Sequence, residues 1–240
     1  MIQMKNISKS YHSSVKAVNN LNLTVNDGEI VGFIGPNGAG KTTTIKMLTG
    51  ILKPDEGSIS INGYDMLRAP LRAKQEIGYI ADSPDMFLRL KAIEFLNLIS
   101  DIYKVPGKVR QERIQTLAER FELSAVLNQP MQNFSHGMRQ KIMVVAALVH
   151  NPAVWILDEP LTGLDPKSAF HLKTMMREHA DAGNAVLFST HVLEVAEKLC
   201  DKVLIINHGE TLFYGTREEL TGKYPAWDLE KIFLEMTADE

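Results

Sequence analysis

The stretch GPNGAGKTTT, Gly35 to Thr44, decides the fold. Its first eight residues match the pattern G-x-x-x-x-G-K-[S/T]. The apolar run EIVGFIG, Glu29 to Gly35, leads into the loop, and TTIKMLTG follows with a helical pattern that ends at Gly50. Because a buried strand, a glycine loop and a helix succeed one another, we predict a phosphate-binding loop. The alternative is a glycine turn that only caps an ordinary helix.

The loop has the chemistry to hold a nucleotide. Glycines let backbone N–H groups point inward, and the N-terminus of the following helix carries about half a positive charge. Lys41 is expected to contact the β- and γ-phosphates, and the Thr42 hydroxyl to bind Mg²⁺. The nucleotide-binding residues that we predict in the loop are Asn37, Gly38, Ala39, Gly40, Lys41, Thr42 and Thr43.

Two carboxylates follow a second buried strand. The run VWIL is followed by Asp158 and Glu159, at the strand end where open parallel sheets bind their ligands. We predict that Asp158 is a Mg²⁺ ligand and that Glu159 is the base that orients or deprotonates an attacking water. Acidic residues that merely end a strand before Pro160 are the alternative.

Three further residues each allow a structural and a functional interpretation. Asp165 precedes Pro166, which is ordinary helix-start chemistry. His191 follows the strand AVLFS, where an imidazole can contact a γ-phosphate or simply begin a helix. Tyr11 is a lone aromatic in a polar stretch, suited to packing or to stacking on a base, and such stacking is worth about 1 to 3 kcal/mol.

A second turn of the phosphate-binding type lies in NFSHGMRQK, Asn133 to Lys141. Ser135 precedes a helical run, so a helix N-cap explains it locally, and Gly137 merely lets the turn form. A serine hydroxyl with glycine-exposed N–H groups is also an anion site. The residues alone leave both readings open, although one chain has only one nucleotide loop.

The patterns on either side of the loop indicate an α/β fold. The runs IQMKNI, LNLTV and SISINGYD alternate as small antiparallel strands do, and VWIL, AVLFS and VLII alternate with helices as in a parallel sheet. We predict a P-loop, mostly parallel sheet core with an N-terminal antiparallel β subdomain and an inserted α-helical subdomain. Residues 1–240 then form a single domain, with the core at about 1–82 and 150–215, the helical subdomain at about 83–149 and a C-terminal tail at about 216–240.

Composition narrows the classes of function. A formal charge of -3 gives no electrostatic reason to expect a nucleic-acid partner. Cys200 is the only cysteine, so an internal disulfide is excluded and a reducing compartment is the simpler expectation. The apolar run IMVVAALV is far short of the roughly 20 residues that a membrane-spanning helix needs. We therefore expect a cytosolic chain that meets a membrane only through a partner.

Taken in order, GPNGAGKTT, FSHGMRQK, VWILDEP, LTGLD and LFSTH resemble the motifs of the ATP-binding cassette (ABC) family: Walker A, signature, Walker B, D-loop and H-loop. In that family two cassettes pair head to tail around two ATP molecules, and each signature closes over the ATP held by the other. The resemblance implies a RecA-like core, ATP and Mg²⁺, and a role for Ser135 and Gly137 at a second cassette's γ-phosphate. It also implies adenine stacking by Tyr11, a dimer-seam carboxylate at Asp165 and a γ-phosphate sensor at His191.

The chain departs from the family pattern at two positions. His136 stands where the signature LSGGQ has its first glycine, and we expect function to survive because Gly137 keeps the close backbone approach. Asp82 stands where the family commonly has the Q-loop glutamine. That difference weakens the transfer of the Q-loop's metal-binding and water-positioning role to this chain.

The resemblance implies an ATPase that drives a separate integral membrane permease from the cytoplasmic face of the cell membrane. The paired cassette is either a second copy or a different chain. The ending DLEKIFLEMT resembles cassettes of bacterial exporters. The alternatives are a soluble ABC-type ATPase that acts in translation or DNA maintenance, and a weakly hydrolysing regulatory module.

A site for the permease is expected beside Asp82. Pro84, Met86, Phe87 and Leu88 put apolar side chains where a loop is ordinarily polar. The family resemblance favours a groove here that receives a short permease helix. The alternative is that this run packs under the helical lobe.

Overall fold

The computed structural model of the chain describes residues 1–11, 15–85, 87–224 and 227–238. The strands within these ranges are β1 (Ile2–Ser10), β2 (Lys16–Val25), β3 (Ile30–Ile34), β4 (Glu56–Ile61), β5 (Tyr64–Asp65), β6 (Ile77–Ile80), β7 (Val154–Leu157), β8 (Ala185–Thr190), β9 (Lys202–Asn207) and β10 (Glu210–Thr216). The α-helices are α1 (Lys41–Leu48), α2 (Pro70–Gln75), α3 (Ala92–Ile102), α4 (Gly107–Arg120), α5 (His136–Leu148), α6 (Pro166–Asp181), α7 (Leu193–Leu199), α8 (Arg217–Lys223) and α9 (Leu229–Thr237).

The described strands form two sheets. The antiparallel one has the order β2-β1-β4-β5, and the other has the order β10-β9-β3-β8-β7-β6. In the second sheet β9, β3, β8, β7 and β6 run parallel, and β10 pairs antiparallel with β9. Every residue of β3, β7 and β8 is buried, because both faces of the parallel sheet are covered. The predicted fold class is confirmed.

The parallel register brings three distant segments to one edge of the sheet. β3 pairs with β8, and β8 pairs with β7. The carboxyl ends of these strands lead directly into Gly35, Asp158 and His191. This edge is the one at which parallel α/β sheets bind ligands.

Helices α3, α4 and α5 lie between β6 and β7 in the chain. Their apolar side chains share one core that includes Phe95, Ile114, Ala118 and Ile142, all nearly inaccessible to solvent. α3 ends at Ile102 and Pro106 is the N-cap of α4, so the two helices are separate. The core also includes Trp155 of β7, so the helical part packs directly on the sheet.

The sequence analysis did not predict β10 or the helices α8 and α9. β10 follows β9 through a turn in which His208 and Gly209 have φ values of 46° and 79°. This is the geometry of a two-residue hairpin, but the sequence does not indicate it, because asparagine, aspartate or glycine usually stands where His208 is. The C-terminal segment forms α8 and α9, and Leu229 and Ile232 are buried in a cluster with Ala196. None of the described helices is both long enough and apolar enough to cross a bilayer.

Candidate active site

The glycine loop between β3 and α1 wraps closely around the space in front of it. Gly38 and Gly40 have φ values of 83° and 110°, a region that favours glycine. A Cβ on Gly40 would lie 2.5 Å from the carbonyl oxygen of Ala17, so this position has no room for a side chain. Backbone conformation therefore favours glycine at both positions, and at Gly40 the lack of space for a side chain is a second reason.

Lys41 is buried at the first position of α1. Its ammonium donates hydrogen bonds to the carbonyl oxygens of Gly35 (2.5 Å) and Pro36 (3.1 Å). Burial lowers the pKa of this lysine, while the nearby Glu159 and Asp158 carboxylates oppose the change. The ammonium thus lies inside the loop at the place where phosphates are expected.

A cavity of about 380 Å³ opens in front of the loop. It is lined by most of the residues that we predicted in the loop and at the ends of β7 and β8, and also by residues that no motif indicated. The lining residues are Ala17, Asn37, Gly38, Gly40, Lys41, Thr42, Thr43, Asp82, Asp158, Glu159, Thr162 and His191. Of the predicted residues, Ala39 is buried behind the loop instead of lining the cavity.

Asp158 is held by a hydrogen bond from the last part of β8. The Ser189 hydroxyl donates to its Oδ1 at 2.6 Å, and both residues are almost fully buried. Burial raises the pKa of Asp158, and the hydrogen bond from Ser189 and the nearby Thr42 hydroxyl oppose that rise. Its Oδ2 has no hydrogen-bond partner among the described residues.

The unpartnered Oδ2 is the observation that fits Mg²⁺. Mg²⁺ prefers oxygen ligands and is held in phosphate-processing sites by one or two carboxylates, substrate phosphates and water. Thr42 and Asp158 supply the oxygens for such an ion within one cavity. In the part of the chain that is described, no three His, Cys, Asp or Glu side chains are grouped so as to hold a metal ion.

Glu159 has an unusual backbone that Ser189 supports. Its φ is +46°, and its amide donates to the Ser189 hydroxyl at 2.9 Å. Its Oε2 lies 2.9 Å from Nδ1 of His191. Backbone strain of this kind persists when the surroundings fix it, and it concentrates at functional sites. The Ser189 hydroxyl therefore contacts the Asp158 carboxylate and the Glu159 backbone, and His191 contacts the Glu159 carboxylate.

Sequence reasoning missed Ser189, Thr162 and Ala17. The signal for Ser189 was available, because a serine that ends an otherwise apolar buried strand must find a polar partner. Thr162 lies three residues after Glu159, and its amide donates to the carbonyl of Glu159 at 3.2 Å. Nothing in the sequence around Ala17 distinguishes it from other strand residues.

Tyr11 lies near the loop without lining the cavity. Its hydroxyl is 3.3 Å from Oγ1 of Thr43, and the residue is 48% exposed. An aromatic side chain that serves only as core packing would be buried. The position is open to a planar ligand, and base stacking stays a prediction.

Ser135, Gly137 and Asp165 are not among the described residues that line the cavity. Ser135 is the N-cap of α5 and accepts a hydrogen bond from the amide of Met138 at 3.2 Å. Asp165 is the N-cap of α6 and accepts from the amide and the hydroxyl of Ser168 at 2.9 and 2.6 Å. Ser135 and Asp165 therefore cap their helices, as the local sequence indicated. Neither these two residues nor Gly137 lines the cavity at the chain's own phosphate-binding loop.

The comparisons with known proteins agree with the motif resemblance. A family model described as ABC transporter matches residues 18–162. The chain is 34% identical to the ABC transporter ATP-binding protein NatA of Bacillus subtilis (strain 168), over 98% of this chain and 97% of that protein. A solved structure of an ATP-binding subunit of an ABC transporter superposes with a TM-score of 0.95 at 33% identity, covering 99% of this chain and 100% of that one. The dimeric structure of MJ0796, a bacterial ABC transporter cassette, superposes with a TM-score of 0.82 at 25% identity, covering 90% and 98%.

Proposed function

The chain belongs to the ABC transporter family as an ATP-binding, ATP-hydrolysing subunit, and we propose from that premise that two cassettes close around two ATP molecules to drive a separate integral membrane permease. The observation that carries the proposal is the arrangement at the sheet edge. Lys41 and Thr42 share one cavity with Asp158 and Glu159, and Ser189 joins the two carboxylate-bearing residues.

The geometry supports a division of roles during hydrolysis. The loop amides and Lys41 bind the β- and γ-phosphates, so the terminal phosphoryl group lies opposite Glu159. Glu159 accepts a proton from the attacking water while His191 keeps its carboxylate in place. When bound, Mg²⁺ neutralises charge on the phosphate oxygens, and Thr42 and Asp158 are the residues that would hold it.

Pairing with a second cassette accounts for the signature turn. Ser135 and Gly137 lie outside the chain's own cavity, and Ser135 is exposed at the start of α5. A helix N-terminus with free amides is suited to phosphate oxygens. In the proposed dimer this turn contacts the γ-phosphate held by the partner, Asp165 lies at the seam, and Tyr11 stacks on the adenine. The partner is a second copy or a related cassette.

The permease contact is proposed at the segment before α3. Phe87 is 48% exposed and has a φ of +54°, and its ring centroid lies 5.6 Å from that of the buried Phe95. An exposed aromatic ring in a strained loop, anchored on one side by the core, is suited to receive an apolar helix. Leu88 is half-buried beside it, and Met86 lies outside the described residues.

We propose that the permease holds the cassette at the cytoplasmic face of the membrane and that the transporter is an exporter. The likeness of the ending DLEKIFLEMT to cassettes of exporters supports this direction. The segment forms α9, which packs on α7 through Ile232. The direction can be tested with membrane vesicles that carry the whole complex. ATP-driven uptake of substrate into inverted vesicles would support export, and uptake into right-side-out vesicles would show import instead.

The central experiment compares Glu159→Gln, Lys41→Ala and Ser135→Arg in one preparation. Glu159→Gln should keep ATP binding and lower turnover by about 10²- to 10⁴-fold, the scale of general-base catalysis. Lys41→Ala should weaken nucleotide binding. Ser135→Arg should leave the ATP affinity of the isolated chain nearly unchanged but block dimer closure, measured by ATP-dependent dimerisation in the Glu159→Gln background. Near wild-type phosphate release by Glu159→Gln, or a normal dimer with Ser135→Arg, would contradict the proposal.

A further inference from the structure

Two segments of the chain combine exposed aliphatic side chains with basic ones. They are residues 46–54, at and after the end of α1, and residues 66–75, which include α2. Together they contain five Lys or Arg residues and no Asp or Glu, although the whole chain has 29 acidic residues against 26 Lys and Arg. We call their exposed aliphatic and basic side chains the α2 patch, which consists of Lys46, Ile51, Lys53, Leu67, Arg68, Leu71, Arg72 and Lys74.

Direct contacts hold the two segments side by side. Nζ of Lys74 donates a hydrogen bond to the carbonyl oxygen of Gly50 at 3.1 Å. Both segments line one cavity of about 130 Å³, and its lining includes Lys53 and Leu67. Leu71 lies three residues before Lys74, so the two side chains share one face of α2. The exposed residues of both segments therefore belong to one surface.

The aliphatic side chains of the α2 patch are widely open to solvent. Ile51, Leu67 and Leu71 are 62%, 52% and 78% exposed, and none of the described large hydrophobic residues is more exposed than Leu71. A single exposed apolar side chain is ordinary on a protein surface. Three of them grouped on one surface and surrounded by polar residues mark a site of interaction.

The basic side chains of the α2 patch are available to a partner outside the chain. None of the five forms an ion pair with a residue that the structure describes. The acidic residues next to the two segments have other partners. Asp55 pairs with Lys9 at 2.6 Å, Glu76 accepts from Asn62 at 2.8 Å, and Asp65 accepts from two backbone amides in the turn before α2. The patch is therefore a local positive surface on a chain with a formal net charge of -3.

An anionic membrane surface matches this combination better than a protein partner does. Clusters of about four to eight Lys and Arg residues beside apolar side chains are typical of contacts with anionic phospholipids. The cytoplasmic loops of membrane proteins carry an excess of Lys and Arg, so the loops of a permease would repel the patch. Phosphate headgroups instead attract the cations, while Ile51, Leu67 and Leu71 can enter the boundary between headgroups and acyl chains.

We propose that the α2 patch binds anionic phospholipid headgroups of the membrane that holds the permease, with its aliphatic side chains in the interface. This inference goes beyond the proposed function, in which the chain reaches the membrane through the permease alone. Each basic residue close to an anionic surface strengthens binding by about fivefold. Because one such signal gives only reversible binding, stable attachment combines the patch with the permease contact.

The test measures partition of the full chain onto vesicles, without permease and without ATP. The vesicles are either pure phosphatidylcholine or equal parts of phosphatidylcholine and phosphatidylglycerol, and sedimentation separates bound from free protein. The double variant Lys53→Gln/Arg68→Gln removes two charges from the patch. Its matched control is Lys104→Gln/Lys108→Gln, which removes two charges from exposed lysines of the helical part. Both double variants change the net charge equally, so a difference between them reports the position of the charges.

We expect the chain to bind the anionic vesicles at least about tenfold more tightly than the neutral ones. Lys53→Gln/Arg68→Gln should weaken binding to the anionic vesicles by about 10- to 30-fold, and Lys104→Gln/Lys108→Gln should change it by less than about twofold. Raising the ionic strength from about 0.1 M to about 1 M should release the chain, because the Debye length falls from about 10 Å to about 3 Å.

A second measurement asks whether the aliphatic side chains enter the membrane. An indole at position 71, in Leu71→Trp, should emit at shorter wavelength on anionic vesicles, because its surroundings become apolar. Ile102→Trp is the control, since Ile102 is 61% exposed at the end of α3 and its indole should stay in water. All of these variants should keep the ATP affinity and turnover of the chain in solution, because none of the substituted residues lines the nucleotide cavity.

Three results would overturn the proposal. The first is equal binding to neutral and anionic vesicles, and the second is an equal loss of binding in the two double variants. The third is binding to polyglutamate as tight as to anionic vesicles, with no change in the emission of Leu71→Trp, which would assign the patch to an acidic protein segment. These results leave the proposed function untouched, because ATP-dependent dimerisation of Glu159→Gln is measured without lipid.

Discussion

Nδ1 of His191 lies 2.9 Å from Oε2 of Glu159, so the two residues that follow β8 and β7 meet across the nucleotide cavity. This contact fixes the carboxylate that is proposed as the general base. His191→Ala should lower kcat by about 10²-fold, because a mobile base is less often aligned with the water, while the ATP affinity changes little. Phosphate release and equilibrium nucleotide binding measure the two effects. The control is His171→Ala on α6, and equal kcat values for the two variants would contradict the role.

Ser189 offers a second prediction, on stability and activity together. Its hydroxyl donates to Asp158 and accepts from the amide of Glu159, and the residue is fully buried. Ser189→Ala leaves a buried carboxylate oxygen and a strained amide without partners, so the free energy of unfolding should fall by about 1 to 3 kcal/mol. Turnover should fall as well.

Denaturant unfolding of Ser189→Ala beside Ser100→Ala checks this expectation. The Ser100 hydroxyl is equally buried but donates to the carbonyl of Leu96 within α3, where the loss of such a bond leaves no charged group unpaired. Its substitution should cost less. A Ser189→Ala variant as stable and active as the wild type would show that Asp158 and Glu159 are positioned by other groups.

The part of this site that is local in sequence was predictable, and the part that depends on packing was not. The glycine loop and the Asp158–Glu159 pair each lie within a few residues of a strand end, so a pattern finds them. Ser189 is more than thirty residues from Asp158 and becomes its partner only through the parallel register of β7 and β8. The φ of Glu159 and the ring of His136 over Gly163 likewise depend on tertiary contacts that no short pattern contains.

His150 predicts a dependence of stability on pH. Its ring stacks on Tyr103 with centroids 3.6 Å apart, its Nε2 lies 3.1 Å from the carbonyl of Ile77, and burial lowers its pKa to about 4. The unfolded chain therefore binds more protons in the window from the ordinary histidine pKa of about 6.5 down to about 4. The stability is full above this window and falls with decreasing pH inside it, by at most about 1.4 kcal/mol per pH unit for this group.

His150→Gln should flatten that dependence without removing it, because burial also lowers the pKa of His179 to about 4. The measurement is the free energy of unfolding by denaturant at several pH values across the window. His171→Gln on α6 is the control. An unchanged slope in His150→Gln would mean that the ring is protonated in the folded chain.

The substitution Phe87→Ala distinguishes a role of this side chain in permease docking from a role in folding. The ring is half exposed, so its removal should cost the isolated chain little stability and leave ATP affinity unchanged. In the assembled transporter the same change should reduce permease co-purification and ATP-driven transport. Phe170→Ala is the matched control, since Phe170 is 63% exposed and belongs to a different element, α6. A large loss of thermal stability in isolated Phe87→Ala would show that the ring is a core residue instead.

Gly78 tests how tightly the helical part is joined to the sheet. It lies in β6, and a Cβ there would meet the carbonyl oxygen of Ala147 at 2.4 Å and Cγ of Pro152 at 2.7 Å. Gly78→Ala must therefore separate β6 from the end of α5, at a cost of about 1 to 3 kcal/mol in the free energy of unfolding. Gly107→Ala is the control, because a Cβ at this first position of α4 meets nothing within 4 Å. That change should be neutral or slightly stabilising, since alanine restricts the unfolded chain. Equal stability of the two variants would mean that β6 and α5 can separate at no cost in free energy. β6, which leads to Asp82, would then be too mobile to fix that wall of the nucleotide cavity.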